Sequence, residues 1–398
     1  IVQDLKIQPD NIRFLIENYY SPSTGKTYSG SRPDGYEGEY GPGIKSLIIG
    51  LKFCCNVSEP AIRDFLTYHG VHISDSSISR HLTQNIDSFH DEKDEIILSG
   101  LKSTTYQQMD DTGARVNGRQ CYSQILCNPH YTAFQTTTHK DRLSIIRLVL
   151  GPHALQFEFN DEAFKLLQIF NLSIEIISYL KKNCAELVLS EEELDKYLRL
   201  LPTRNKSIKT IYRRIKEASG IAWYHNQKDW PVIDILLTDD APQFDHIAHN
   251  HALCWIHAGR SLKKLHPLSP AIQGLLYRKI QSFWEYYHLL AEFKERPLTE
   301  KGNVLEQRFD EIFNVKTGYN ALDEKLKVIY RNKGKLLQVH SNPQIPLHNN
   351  ESELGARVQV RKRDVSLHTV TPKGTKAQDT FLSLKETARK LGVNFFEY

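Results

Sequence analysis

Three acidic residues stand where their carboxylates are able to bind metal ions. Asp110 ends a β-like run that begins at Thr104, and Asp239 follows the apolar run from Val232 to Thr238. Glu353 stands in the opening turn of a helix-like segment near the C-terminus. Oxygen ligands of this kind suit Mg²⁺, and two such ions about 3.5–4 Å apart stabilise both the attacking and the leaving oxygen in phosphoryl transfer. The residues therefore indicate metal-dependent phosphodiester chemistry, which needs no covalent protein nucleophile.

Each of these carboxylates also has a purely structural interpretation. Acidic residues at strand ends commonly belong to turns. If Asn350 caps the helix, Glu353 falls at its third position, where it could instead close a capping box. The metal hypothesis therefore depends on whether the three residues meet in space.

The elements that must bring them together form an α/β pattern. The runs Thr104 to Asp110, Gly118 to Cys127 and Tyr131 to Thr138 predict an antiparallel meander, with a helix from Arg142 to Leu150 after it. Val232 to Thr238 predicts a buried strand, and His251 to Cys254 a short one. Acids on the first and fourth strands and on a late helix follow the order of a ribonuclease-H-like fold, a mixed sheet with helices.

This core is interrupted by two helical insertions and preceded by other elements. We expect the following division: 1–42, a β hairpin with an irregular Gly-rich segment; 43–100, helical with a helix-turn-helix; 101–156, the first part of the core; 157–228, a basic helical insertion; 229–265, the second part of the core; 266–345, a helical insertion; and 346–398, the C-terminal helices that carry the third acid. Within 1–42, Ile1 to Leu5 and Ile12 to Tyr20 are the β-like runs.

Two short helices near residues 58–86 match a helix-turn-helix. Ser58 and Ser74 are candidate caps, Gly70 ends the first helix, and the second is expected to extend to Ile86. Its polar face carries the candidate DNA contacts Ser76, Ser77, Arg80 and Gln84. The alternative is an ordinary helical hairpin.

Further candidate phosphate contacts are basic residues on helical segments. They are Arg204, Lys206, Lys209 and Arg213 in the first insertion, Arg260 and Lys263 after the fourth strand, and Arg357, Arg361, Lys362 and Arg363 after Glu353. The alternative is that these charges form solvated helix faces.

Composition narrows the class of protein. The chain has 398 residues, a net charge of +4 and six scattered cysteines, which suits reduced thiols better than a disulfide framework. Its longest apolar run, Ser46 to Cys55, is too short to cross a bilayer, and no signal peptide is recognisable from Ile1 onward. We therefore expect a cytoplasmic protein without a membrane partner, whose basic surface is local.

Several ordered segments resemble the bacterial insertion sequence 66 transposase family. They are Asp110 to Val116; Thr238-Asp239 with Cys254 to Arg260; Asn349 to Glu353 with Arg357 and Arg361-Lys362; and the tail from Gly374 to Gly392. The resemblance runs from about Tyr40 to the end of the chain. The cysteine-rich zinc module and leucine-rich coil that often precede the core in that family are not found in this sequence, and the insertion between the first two acids is long.

The resemblance implies a DDE transposase that cleaves transposon ends and joins the freed 3′-hydroxyl to target DNA. It assigns Asp110, Asp239 and Glu353 as ligands of two Mg²⁺ ions, with Mn²⁺ able to replace them, and leaves Asp111, Asp240 and Glu351 as neighbours. It also implies a homodimer or larger synaptic complex on DNA in the bacterial cytoplasm, associated with the nucleoid.

Cys254 and His257 form a Cys-x-x-His pair after the second acid. Two ligands do not complete a zinc site, so a role in packing or in DNA placement is favoured over metal binding. A similar pair is found at this place in several transposase families.

Two other functions compete with transposition. A ribonuclease-H-like nuclease would cut DNA without joining it. A DNA-binding regulator derived from a transposase would have lost the reaction, and its carboxylates would no longer converge.

Overall fold

The computed structural model describes residues 1–36, 38–202 and 207–398. Its N-terminal strands are β1 (Asn18–Ser21) and β2 (Lys26–Ser29), which pair antiparallel. The described residues before Asn18 contain no strand, so the β-like run from Ile1 to Leu5 does not form one. A reason is that these side chains are exposed and find no partner strand to cover them.

A mixed five-stranded sheet forms the centre of the described chain. Its strands are β3 (Tyr106–Val116), β4 (Arg119–Asn128), β5 (Tyr131–Thr137), β8 (Ile235–Thr238) and β9 (Asn250–Leu253), in the spatial order β5-β4-β3-β8-β9. β3, β4 and β5 are an antiparallel meander, while β8 and β9 continue the sheet parallel to β3. The predicted mixed sheet is confirmed, and β3 extends six residues beyond the predicted end because it continues into the hairpin with β4.

The turn between β3 and β4 uses Asn117 and Gly118, both with positive φ (48° and 73°). This is the conformation required by a two-residue hairpin turn whose twist matches that of the strands.

Helices surround the sheet. The helices before it are α1 (Pro42–Phe53), α2 (Glu59–Tyr68), α3 (Asp75–Thr83) and α4 (Asp87–Ser103). After β5 come α5 (Arg142–Leu150), β6 (Phe157–Glu158), α6 (Asp161–Ile169), α7 (Ile174–Cys184), β7 (Val188–Leu189), α8 (Glu191–Arg199) and α9 (Ile208–His225). After β9 come α10 (Trp255–Lys263), α11 (Pro270–Glu295), α12 (Thr299–Phe313), α13 (Asn320–Arg331), α14 (Lys333–Leu336), α15 (Gln338–Ser341), α16 (Asn350–Ser366) and α17 (Pro372–Leu391).

Two helical predictions differ from the structure. The helix after Ser74 ends at Thr83 rather than Ile86, because Asn85 adopts a left-handed conformation (φ 56°) and α4 begins at Asp87. The first insertion is not wholly helical, since β6 and β7 pair antiparallel within it. Two-residue strands carry too little periodicity to be recognised in a sequence.

The two faces of the sheet contribute to different hydrophobic cores. Met109, Leu126 and Ala133 pack with the helices of the first insertion. Ile125 and Phe134 pack on the other side with α1, α2, α3 and α17. Because successive side chains of a strand point to opposite faces, this division shows on which face of the sheet each side chain of β3 and β4 lies.

Helix α17 covers β5 at the edge of the sheet with polar side chains one turn apart. Asp379, Ser383 and Thr387 are all buried. They accept hydrogen bonds from the backbone N–H groups of Thr136, Phe134 and Thr132, at 2.6, 2.9 and 3.2 Å respectively. The amides of an edge strand that would otherwise be exposed or unpaired are therefore satisfied by a helix.

A separate hydrophobic core lies in the second insertion. Trp255, at the start of α10, is fully buried and packs against the aromatic rings of Phe283, Tyr286 and Phe309. Its indole N–H donates to the carbonyl of Leu336 at 2.9 Å. This core anchors α10 and thereby the residues that α10 presents to the sheet. In the described part of the chain, no helix combines the length and the apolar character needed to span a bilayer.

Candidate active site

Asp110 and Asp239 lie on neighbouring parallel strands. The register of β3 against β8 pairs Tyr106 with Ile235 and Gln108 with Leu237. Two residues further along, the same register sets Asp110 beside Asp239, where adjacent strands are about 4.8 Å apart. These two predicted residues are therefore brought together at the end of β8.

The sheet also decides which carboxylate of Asp110 and Asp111 faces α16. Asp110 is the cross-strand partner of Ile125, and directly opposed residues point to the same face. Gly355 of α16 packs against Ile125 so closely that an added Cβ would lie 2.7 Å from Ile125 Cγ2. Asp110 therefore points toward α16, and Asp111 points to the opposite face.

Buried hydrogen bonds hold the beginning of α16 against β3 and α10. Asn349, which is 1 % exposed, donates from Nδ2 to the Met109 carbonyl at 2.8 Å. Its backbone N–H donates to Cys254 Sγ at 3.3 Å. Glu353 N–H in turn donates to the Asn349 carbonyl at 3.2 Å, which places Glu353 in the first turn of α16 beside the strand that carries Asp110.

The capping-box alternative for Glu353 is not what the structure contains. The cap residue is Asn349, one residue earlier than expected, and it makes no side-chain capping bond. The Glu353 carboxylate instead contacts Arg260, whose Nη1 lies 3.3 Å from both of its oxygens. Its side chain is 14 % exposed.

Burial and repulsion by neighbouring carboxylates make Asp110 and Asp239 resist ionisation. Burial, together with the charges of Asp239, Asp111 and Glu353, raises the pKa of Asp110 to about 7 against an opposing hydrogen bond from the Asp111 N–H. Burial is also the main cause that raises the pKa of Asp239. Among the described residues, neither carboxylate has a cationic side chain within ion-pair distance.

The three acidic neighbours, by contrast, have protein partners. Asp111 is paired with Lys140 at 2.6 Å, Asp240 accepts from Asn332 at 2.8 Å, and Glu351 is paired with Lys390 at 2.8 Å. Lys140 and Asn332 were not recognised from the sequence, because single polar residues in loops and helix ends carry no pattern.

The chemistry of the donors fits magnesium. Asp110 and Asp239 offer hard oxygen ligands, lie side by side, and form no ion pair in the part of the chain that the structure describes. Glu353 approaches the same strand from α16. A divalent cation would offset the burial and the repulsion that raise the pKa of Asp110.

Cys254 and His257 lie against Glu353. One ligand atom of each of these three residues lies within 4.8 Å of those of the other two. His257 Nδ1 is 3.7 Å from Glu353 Oε1, is buried, and has no hydrogen-bond partner among the described residues. Cys254 and His257 were recognised in the sequence as an incomplete pair of ligands, and the fold brings Glu353 next to them.

A further network supports the end of β8. His251, whose side chain is largely buried, contacts Thr238 Oγ1 through Nε2 at 2.7 Å and Asp245 through Nδ1 at 3.1 Å. Burial opposes ionisation of Asp245, but hydrogen bonds from His251 and Lys335 hold the pKa of its carboxyl well below its ordinary value. This network fixes the residue that precedes Asp239 and was not foreseen from the sequence.

The predicted phosphate contacts near Glu353 divide into two groups. Arg357 and Arg361 are exposed, one and two turns after Glu353 on α16, and Arg260 and Lys263 are exposed on α10. Arg363 is half-buried and donates to the Gly113 carbonyl.

Lys362 does not fit its predicted role. It is 1 % exposed, its Nζ donates to the Lys52 carbonyl, and it lies 4.8 Å from the centre of the Phe53 ring. Burial lowers the pKa of Lys362 to about 7. Its position on the inner side of α16, which the run Arg361-Lys362-Arg363 does not reveal, removes it from the surface.

The other predicted DNA contacts belong to the regions of α3 and α9. Ser76, Arg80 and Gln84 are exposed and Ser77 is half-buried on or just after α3. Ser77, Arg80 and Gln84 line a cavity of about 940 Å³ that the C-terminal Tyr398 also lines. Lys209 and Arg213 are exposed on α9, whereas Arg204 and Lys206 lie outside the described residues.

Comparison with known proteins identifies related sequences. Residues 228–377, which include Asp239, Cys254, His257 and Glu353, match the sequence model of the Transposase IS66 family. The chain is also 33% identical over 307 residues to the uncharacterized protein y4jO of Sinorhizobium fredii (strain NBRC 101917 / NGR234), which covers 76% of this chain and 93% of that protein. The chain therefore belongs to the IS66 transposase family.

Proposed function

We propose that the chain is a DDE transposase in which Asp110, Asp239 and Glu353 bind two Mg²⁺ ions and act on DNA. The observation that carries the proposal is the meeting of two half-buried carboxylates, without cationic partners among the described residues, on adjacent parallel strands with a third acidic residue on α16. This observation supports the hypothesis that acids far apart along the chain share metal ions.

The strand order supports a ribonuclease-H-like core for this enzyme. In the described sheet the central β3 has the antiparallel β4 and β5 on one side and the parallel β8 and β9 on the other. The acids then fall on the first strand of the meander, after the first parallel strand, and on a late helix. This is the order proposed from the sequence.

The residues of the chain have distinct roles in the proposed reaction. Asp110, Asp239 and Glu353 would hold the metal ions, and Arg260 orients Glu353 through contacts to both of its oxygens. Magnesium bound there would supply Lewis-acid stabilisation of the attacking and leaving oxygens. Arg357 and Arg361 continue from Glu353 along α16 and would bind phosphates of the DNA backbone.

In the proposed reaction a water oxygen attacks phosphorus and the bond to the 3′ oxygen breaks, which leaves a 3′-hydroxyl. That hydroxyl then attacks a phosphodiester of the target DNA, forms a new P–O bond and releases the other strand end. Because two transposon ends must be joined to one target, we also propose a homodimer or larger synaptic complex.

The proposal is tested by incubating the protein with Mg²⁺ and DNA that carries its element's terminal repeats. Glu353→Gln is compared with wild type and with Glu351→Gln, a matched substitution two residues away whose carboxylate is held by Lys390. We expect cleavage and strand-transfer products in wild type and Glu351→Gln, and neither in Glu353→Gln.

The other outcomes would contradict the proposal in different ways. Cleavage without joined products in wild type indicates a nuclease. Binding of DNA without either product indicates a regulator. Strand transfer that persists in Glu353→Gln would refute the role given to Glu353.

A further inference from the structure

The cluster of Cys254, His257 and Glu353 has a different ligand chemistry from the carboxylate pair on the sheet. It combines a thiol, an imidazole and a carboxylate, whose ligand atoms lie within 4.8 Å of one another. Thiolate and imidazole ligands select Zn²⁺ and similar cations, whereas Mg²⁺ prefers oxygen ligands. The fold therefore brings together ligands that suit a softer cation, and one of them also belongs to the proposed magnesium site.

The distances are close to those that a metal ion requires. Zinc bonds of about 2.0–2.3 Å at tetrahedral angles separate ligand atoms by about 3.3–3.8 Å. His257 Nδ1 and Glu353 Oε1, at 3.7 Å, are close to such a separation. The remaining approach is small, on the order of 1 Å from the tetrahedral separation.

Two contacts around the cluster favour binding of a cation, whereas Arg260, whose Nη1 lies 3.3 Å from both Glu353 oxygens, opposes it. The N–H of Asn349 donates to Cys254 Sγ at 3.3 Å. This contact stabilises a thiolate and orients it, as outer-shell groups do in metal sites. His257 Nδ1 is a buried nitrogen without a hydrogen-bond partner among the described residues, and it faces Glu353. With three protein ligands, a fourth position stays open to water.

We propose that Cys254, His257 and Glu353 bind a zinc-like divalent cation, and that this binding withdraws Glu353 from the magnesium site. On binding, the Cys254 thiol loses its proton to solvent and the cation takes its place on sulfur. The second part of the proposal rests on the proposed function, because it treats Glu353 as a ligand that two sites share. Zinc would then inhibit the magnesium-dependent reaction.

The binding part is tested with the full chain and the metal alone. Zn²⁺ affinity is measured by calorimetry, and Co²⁺ is used as a spectroscopic substitute for its thiolate-to-cobalt absorption band. We expect one zinc ion per chain at this site and a cobalt–thiolate band in wild type. Cys254→Ser should lose the band, and His257→Gln should weaken zinc binding by more than about 100-fold, since even outer-shell changes typically cost about 10–100-fold.

Cys55→Ser is the matched control, because Cys55 is an exposed free thiol outside the cluster. It should keep both the zinc affinity and the cobalt band. Absence of a thiolate band in wild-type protein would overturn the proposal, as would a band that Cys55→Ser removes. If Cys254→Ser does not fold, the wild-type cobalt spectrum and the zinc affinity of His257→Gln still decide the outcome, because His257 is partly exposed.

The competition part is tested by adding Zn²⁺ to the magnesium-dependent cleavage reaction. Inhibition is expressed relative to the zinc-free rate of each protein, and we expect at least tenfold less sensitivity in His257→Gln than in wild type. Equal sensitivity would overturn competition for Glu353.

The two proposals can fail separately. If zinc binding does not depend on Cys254 and His257 while Glu353→Gln loses cleavage, the zinc site is wrong and the proposed function stands. If zinc binding depends on both residues while Glu353→Gln retains cleavage, the proposed function is wrong and the cation site stands.

Discussion

Replacing Asp110 by asparagine should stabilise the metal-free protein above pH 7, even though it should abolish catalysis. Asparagine keeps the shape of the side chain and the oxygen that accepts the Asp111 N–H. It removes a poorly solvated negative charge that Asp239 and Glu353 repel. A residue that only stabilised the fold would give the opposite sign.

The size of the effect follows from the pKa of Asp110. Its rise from 3.8 to about 7 corresponds to roughly 4 kcal/mol, at about 1.4 kcal/mol per pKa unit. Solvent reaches part of the site and screens the repulsion, so we expect Asp110→Asn to raise the free energy of unfolding by about 1–2 kcal/mol. With an unfolding entropy of roughly 2.1 cal/mol/K per residue, this raises the Tm of a chain of this length by about 1–2 °C.

The pH dependence gives a sharper test. Below pH 3.8 Asp110 is protonated in both the folded and the unfolded state, so its charge costs nothing. Between pH 3.8 and about 7 only the folded state retains the proton, so the stability of wild type falls as the pH rises. The advantage of Asp110→Asn should therefore be small at pH 4, grow through this range, and be complete above pH 7.

Asp111→Asn is the matched control on the same strand. Asp111 is paired with Lys140 at 2.6 Å and accepts from Gln243 at 2.9 Å, so its neutralisation should not stabilise the protein. The measurement is thermal unfolding with EDTA from pH 4 to pH 8, then with Mg²⁺, which should raise the Tm of wild type more than that of Asp110→Asn. A lower Tm for Asp110→Asn at pH 8 without metal, or a difference that does not vary with pH, would refute the reasoning.

Three further predictions concern the helices that surround the site. Gly355→Ala should cost about 1–3 kcal/mol in urea unfolding and reduce cleavage, because overpacking strains a close helix–sheet contact. Its new methyl carbon would lie 2.7 Å from a side-chain atom of β4, whereas the control Gly334→Ala has no atom within 4 Å of its added Cβ. Arg361→Ala should weaken DNA binding and reduce the slope of log K against log salt by about 1. Lys362→Met, at a buried position, should leave that slope unchanged. Equal effects of the two substitutions would contradict the assignment of DNA contact to Arg361 alone. Ser383→Ala should leave a backbone N–H of β5 without its acceptor. The free energy of unfolding of Ser383→Ala should fall by about 1–3 kcal/mol, and a change below about 0.5 kcal/mol would contradict the role of Ser383 as an acceptor for β5.

Local patterns were sufficient to predict several elements. The helix from Arg142 to Leu150 has the predicted bounds, because Asp141 caps it through the Ser144 N–H and Gly151 (φ 56°) ends it. The hairpin between β3 and β4 was predictable for the same reason, since Asn117 and Gly118 specify its turn. In these cases the residues that determine the structure lie within a few positions of each other.

Long-range contacts decided what local patterns left open. Asp110 and Asp111 are adjacent acids, and only the pairing of β3 with β4 shows which of them faces α16. Glu353 was compatible with a helix cap until the contacts of Asn349 and Arg260 placed its carboxylate elsewhere. Each choice depends on residues distant in sequence.

The sequence by itself determined the order of strands and helices, the acids at their ends and the family resemblance, because hydrophobic period, caps and turns act over short distances. Only the tertiary structure decided that Lys362 is buried while Arg357 and Arg361 are exposed, and that Glu353 joins the incomplete pair of Cys254 and His257. The physical reason is that burial and ligand clusters depend on how sheet and helices pack, and that packing is set by contacts between distant segments.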